Sequence, residues 1–320
     1  MEVPAMALAR SLLLAAAGSN TLNTMATRSR VVRRATRAFM PGEAAEDALE
    51  AAAALAGDGR ALLLTRLGEA LEELDEADAV RDHYLGLLDQ VAERGMPVEI
   101  SVKPTQLGLE RSESRCLEHT LALAAHAEAV GSVLWIDMED SSWVDPTLDL
   151  YETVKAAHPE TGLALQSYLR RTPDDLERLA PLSPVIRLVK GAYAEPPDVA
   201  FPAKAETDRA YEELAIRMLE LVRDAAGKGG VRAPRAVFGT HDLPLVERIE
   251  ARGRAMGLGP EAWEVHMLYG IRAGEQARLQ SRGIQVGTLI SYGEAWYRWY
   301  MRRLAERPAN VWFVAKSVFG

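Results

Sequence analysis

Two adjacent arginines, Arg302 and Arg303, close an aromatic-rich stretch from Ser291 to Pro308 that also holds Trp296, Tyr297, Trp299 and Tyr300. The stretch predicts a helix opened by a turn at Tyr292 and Gly293 and stopped by Pro308, which cannot continue it. Trp299 lies three residues before Arg302, so one helical face carries an indole and a guanidinium together. Paired guanidinium groups suit a planar anion, because each holds a carboxylate or phosphate through two parallel hydrogen bonds. A basic last turn favoured by the helix macrodipole would use the same residues. Further polar residues stand at or just after short apolar runs: Glu69, Lys103, Asp137, Gln166, Arg187, Lys190, Thr240, His241 and His266. Singly, each suits a cap, a loop or a satisfied core position. Recurring at the end of nearly every run, they point to a ligand, since burying such groups costs free energy unless they are paired.

The elements that must position them alternate regularly. Apolar runs at 61–64, 98–102, 133–137, 163–166, 185–189, 235–238, 263–268 and 284–290 read as strands. Between them the patterns predict helices over about 75–94, 114–130, 147–157, 174–179, 206–228, 243–256 and 273–282, and the arginine-bearing helix follows the last strand. Continuous apolar runs are expected of parallel strands covered on both faces. Eight strand–helix units therefore predict a (βα)8 TIM-type barrel, an α/β fold. An Ala-rich helix at 42–56 ends an N-terminal helical arm, 1–56, and the barrel is expected to occupy 57–320. In such a barrel the polar strand ends gather on one rim.

Charge on that rim is uneven. Lys103, Arg187, Lys190, Arg302 and Arg303 outnumber Glu69 and Asp137, although the whole chain of 320 residues carries a net charge of −9. The rim therefore favours anionic ligands, a small carboxylate and a phosphate-bearing cofactor. An acidic chain argues against general nucleic-acid binding. No Gly-x-Gly-x-x-Gly follows a strand, and His241 with Asp242 lacks the close-spaced partners of a metal site. One cysteine, Cys116, excludes an internal disulfide framework and fits a cytoplasmic setting. The apolar start, 5–18, is interrupted by Arg10, and five arginines follow between positions 28 and 37 with no acid among them; a packed helical arm and a presequence both suit this pattern. No run reaches the ~18–20 apolar residues of a membrane span, so any membrane contact is expected to be peripheral.

Together the runs 185–196 (VIRLVKGAYAEP), 239–242 (GTHD), 267–272 (MLYGIR), 137–140 (DMED), 166–168 (QSY) and 301–308 (MRRLAERP) resemble the proline dehydrogenase family, of the monofunctional bacterial type. The resemblance covers roughly residues 35–320. It implies a flavoenzyme on a distorted (βα)8 barrel that oxidises L-proline to pyrroline-5-carboxylate, passing hydride to FAD and then electrons to a quinone. It further implies that Arg302 and Arg303 hold the substrate carboxylate with Lys103 beside it, and that Leu268 packs over the substrate ring. Asp137 and Arg187 become the active-site pair near the flavin. Met138, Gln166, Lys190, Gly191, Ala192, Thr240 and His241 would line FAD, and Glu69 would pair with Arg302 as a gate.

The chain departs from the family pattern around the substrate. Trp299 stands where tyrosine is usual, Leu289 and Ser291 replace a tyrosine and a proline, the second strand ends in Lys103-Pro104, and His266 replaces a glutamine. A relative acting on hydroxyproline or another cyclic secondary amino acid is thus an alternative. So is a Schiff-base aldolase or lyase using Lys103 or Lys190, or a barrel kept only as a binding scaffold.

Overall fold

A computed structural model describes residues 36–37, 39–57, 59–68, 71, 73–226, 233–297 and 300–301. Eight strands of apolar, largely β-branched and leucine residues close into one parallel barrel in sequence order. They are β1 (Ala61–Arg66), β2 (Val98–Val102), β3 (Leu134–Ile136), β4 (Gly162–Gln166), β5 (Val185–Val189), β6 (Arg235–Gly239), β7 (Glu264–Leu268) and β8 (Gln285–Tyr292). The barrel shuts where β8 lies beside β1, with six residue pairs from Ala61–Gly287 to Arg66–Tyr292.

The helices are α1 (Ala45–Ala56), α2 (Asp75–Glu93), α3 (Glu113–Ala129), α4 (Val144–Ala157), α5 (Thr172–Leu179), α6 (Lys204–Ala226), α7 (Leu243–Ala255) and α8 (Ala273–Ser281). Local chemistry sets their starts. Ser112 caps α3 by accepting the Arg115 amide at 3.3 Å, and α5 and α7 carry proline in the first turn, where its missing N–H costs nothing. Helix α1 buries Ala48, Leu49 and Ala52 and packs against β1 and β8; residues 1–35 of the expected arm lie outside the described residues.

The core has two parts. Outside the strands, Leu62, Leu64, Ile100, Ile136, Leu163, Leu165, Ile186, Leu188, Phe238 and Val265 pack under the helices. Inside, Leu63, Trp135, Val185 and Val237 form a separate cluster joined by Val133 and Leu289. Strand alternation assigns every second residue to this lumen. The expected turn at Tyr292 differs in detail. Ser291 and Tyr292 still belong to β8, because their neighbours in β1 extend to Arg66, and the chain turns at Gly293, whose φ is +115°.

Candidate active site

Strands β2, β3 and β5 bring three lumen side chains together at the C-terminal end of the barrel. Arg187 Nη2 donates to Asp137 Oδ1 and, at 2.7 Å, to Ser101 Oγ; Ser101 Oγ in turn donates to Asp137 Oδ1 at 2.8 Å. Arg187 is 4% exposed, and its Nη1 is buried with no hydrogen-bond partner among the described residues. A buried guanidinium edge without an acceptor is costly, so this is a place built to meet a further polar group. The arginine lies over the indole of Trp135, with Cζ 4.9 Å from the ring centroid.

Around this triangle stand the other residues expected on the rim. Lys103 follows β2 and donates from Nζ to the Gly68 carbonyl at 3.3 Å. Gln166 ends β4, buried, with Nε2 on the Met138 carbonyl at 3.4 Å and Oε1 without a partner among the described residues. Met138 is buried beside it. Gly191 has φ +113°, and a Cβ there would stand 2.2 Å from the Tyr168 ring, so only glycine fits. Ala192 follows, partly exposed. Thr240 Oγ1 accepts the Asp242 amide at 3.1 Å, and His241 Nε2 accepts the Leu268 amide at 3.3 Å, fixing the β6 and β7 ends to one another.

Lys190 is not a free cation. Its ammonium lies 2.5 Å from Asp208 and 2.8 Å from Asp242, and Lys204 pairs with Asp208 as well. Burial pushes the Asp208 and Asp242 carboxyls up, but the lysine contacts outweigh it and hold both below the ordinary range. The positive excess read from the sequence is therefore smaller at this part of the rim. Two further carboxylates tie the loops together. Glu139 accepts both the amide and the hydroxyl of Thr105, at 2.9 and 2.7 Å. Glu195, after β5, accepts both from Ser141, at 2.7 and 2.6 Å.

Sequence reasoning missed Ser101, Asp208, Glu139 and Glu195; it weighed Asp242 only as a metal ligand beside His241, whereas the carboxylate holds Lys190, and it expected His266 on the rim, whereas the histidine belongs to a deeper layer toward the N-terminal ends of the strands. There Arg235 binds Glu264 through Nε and Nη2 (2.6 and 2.8 Å) and Glu99 through Nη1 (2.8 Å). His266 is fully buried: burial lowers its basicity, against the pull of Glu264 at 3.3 Å. The signal for this layer was period-two alternation, which puts Glu99 with Ser101 and Glu264 with His266 on the inward face. Glu69, Trp299, Arg302 and Arg303 lie outside the described residues. Among the described residues no cluster could hold a metal ion, and no helix is long and apolar enough to cross a membrane.

The closed eight-stranded parallel barrel defines the TIM-barrel class, whose active sites gather at the C-terminal rim where the acid–arginine pair stands. A family model for proline dehydrogenase matches residues 48–316, and the chain belongs to that family of oxidoreductases. It is 33% identical over 286 residues to proline dehydrogenase 1 of Bacillus subtilis subsp. natto, covering 89% of this chain and 91% of that one. To the proline dehydrogenase of Deinococcus radiodurans it is 34% identical, covering 88% of each. Among solved structures it resembles proline utilization A (PutA) from Bdellovibrio bacteriovorus inactivated by N-propargylglycine, with a TM-score of 0.77 at 22% identity, covering 85% of this chain. A PutA with proline bound in remote sites matches with a TM-score of 0.69 at 23% identity, covering 88% of this chain. The chain spans 32% of the length of each of these, and at such identity they speak to the fold alone.

Proposed function

We propose that the protein oxidises L-proline to 1-pyrroline-5-carboxylate with FAD as the hydride acceptor and a quinone as the final electron acceptor, working at the cytoplasmic face of a membrane through peripheral contact. The observation that carries this reading is the Asp137–Ser101–Arg187 triangle, set at the barrel rim of a proline dehydrogenase family member with one guanidinium nitrogen unmet among the described residues.

The residues present fit a flavin. Arg187 Nη1 offers a donor and Gln166 Oε1 an acceptor, both buried and both unmet among the described residues, and a flavin ring edge carries carbonyl oxygens, ring nitrogens and an N–H to match them. Gly191, held in a left-handed turn against the Tyr168 ring, sets the path of the loop that would meet the cofactor. Arg187, Gln166, Met138, Lys190, Gly191, Ala192, Thr240 and His241 would hold it. When bound, FAD supplies the two-electron acceptor for the C–H bond next to the proline nitrogen.

The chain's own work is positioning and electrostatics. Asp137 receives both of its described bonds on Oδ1, from Ser101 and Arg187, which anchors the guanidinium to the carboxylate at one nitrogen. Arg187 presents fixed positive charge where negative charge develops, a preorganised stabilisation that needs no movement during reaction. Lys103, with Arg302 and Arg303, would take the substrate carboxylate, Leu268 would cover the ring, and Glu69 would close the site against Arg302.

The Schiff-base alternative finds less support. Lys190 sits between two carboxylates, the reverse of the desolvated setting that frees an amine for attack. The decisive test is the visible spectrum of the purified protein. Flavin bands that bleach when proline is added without oxygen are expected. A colourless protein that takes up no FAD, or one trapped covalently by borohydride with a carbonyl compound, would overturn the reading.

A further inference from the structure

We propose that Trp135, a residue of the barrel lumen, positions Arg187 by carrying its guanidinium on an indole that the lower lumen holds in place. The inference rests on the flavin reading above.

Arg187 has only one of its terminal nitrogens hydrogen bonded among the described residues, and that nitrogen serves both Asp137 and Ser101. A single attachment point leaves the guanidinium plane free to rotate. The indole of Trp135 removes that freedom, because the guanidinium lies over its face at 4.9 Å. The indole is itself fully buried and fixed from several sides. Its Nε1 donates to Glu99 Oε2 at 2.6 Å, a short bond to a charged acceptor. Arg235 stands over the same ring, 5.2 Å from its centroid, and holds Glu99 and Glu264 at once. His266 meets it edge-on, with ring centroids 5.6 Å apart.

Space for these rings is made by two glycines. A Cβ on Gly162 would lie 2.4 Å from the Trp135 ring, and one on Gly287 would lie 2.4 Å from that of His266. Neither glycine has a left-handed backbone, so conformational freedom does not explain them. They are cut-outs for the aromatic layer.

Electronics point the same way. A carboxylate accepting the indole N–H pushes electron density into the ring and strengthens its attraction for a cation above it. Glu99 and Glu264 with one arginine also leave the lower layer formally negative, which suits a cation in the layer above. The Glu99–Trp135–Arg187 line thus ties the floor of the lumen to the rim. Trp135 is a positioning residue, acting only through Arg187.

The test is made on FAD-loaded protein with sulfite, an anion that adds to bound oxidised flavin more tightly where the surroundings are more positive. Trp135→Leu should weaken sulfite binding about tenfold and lower kcat by a similar factor, while the KM for proline moves less than about threefold. Trp135→Phe keeps a ring without the N–H and should lose about threefold. In an Arg187→Lys background, Trp135→Leu should change sulfite binding less than about twofold, because the group it positions is gone. Equal losses in both backgrounds would mean a general packing role, and would overturn the proposal. So would unchanged sulfite binding in the leucine variant. If that variant does not fold, Trp135→Phe is read by the same criteria. Wild-type protein that binds no FAD would sink the flavin reading and this inference with it; wild-type that binds FAD and sulfite with an inert Trp135 would sink the inference alone.

Discussion

At the scale of single residues, Ser101 is the small group on which the acid–arginine pair depends. It donates to Asp137 and accepts from Arg187, so alanine there leaves the buried guanidinium and the partly buried carboxylate short of a shared partner. Ser101→Ala should lower kcat/KM for proline about tenfold with FAD still bound, checked by steady-state kinetics and flavin content. Unchanged kinetics would remove Ser101 from the site. Leu289 makes a different prediction. It lies in the lumen cluster opposite Leu63 and Leu268 in register, so it presents carbon where the family pattern has a phenol. Leu289→Tyr should lower the ratio of kcat/KM for 4-hydroxyproline over proline by about tenfold, within the 1–3 kcal/mol that one pocket contact commands. A ratio unchanged or raised would pass the selectivity role to another residue.

At the scale of elements, the loops after β3 and β5 carry most of the expected cofactor contacts, and each is pinned by one carboxylate gripping both donors of a neighbouring residue. Within the β5 loop the turn at Gly191 is fixed by contact with Tyr168 and by its positive φ. Gly191→Ala should destabilise this loop by at least about 1 kcal/mol and raise the FAD dissociation constant about tenfold or more, measured by titrating apoprotein. Tight FAD binding in that variant would show that the turn does not face the cofactor. The strands and helices were legible in the sequence because short apolar runs alternated with longer helical patterns, and the rim residues because they interrupted run ends. Of the lower lumen only His266 was singled out, and its partners were not. Glu99 and Arg235 are 136 residues apart and look like ordinary surface charges until the barrel closes around them. Asp208 escaped for a related reason, since a charge on a helix reads as solvated unless its partner is known.

At the scale of the whole molecule, buried titratable groups set how stability answers to pH. His83 hydrogen bonds through Nε2 to the Tyr292 hydroxyl at 2.7 Å, joining α2 to the end of β8. Burial, helped by the nearby Arg66 charge, lowers its pKa from 6.5 to about 4. The folded state therefore resists a proton that the unfolded chain accepts. Stability from this group is complete above pH 6.5 and drains away as pH falls toward 4. The slope is at most about 1 kcal/mol per pH unit, and His83→Gln should flatten it in melts taken across that window. A histidine variant with the same pH slope would place the acid sensitivity elsewhere.

The closure of β8 on β1 has a consequence for how the chain comes to be folded at all. Six residue pairs join the first strand to the last across more than two hundred residues of intervening chain. During synthesis β1 therefore waits, with one edge unpaired, until β8 has left the ribosome. Such non-local pairing slows folding, and an open parallel edge invites association with other chains meanwhile. A nascent chain arrested before Gln285 would hold seven strands and two bare edges, a species for chaperones rather than for catalysis.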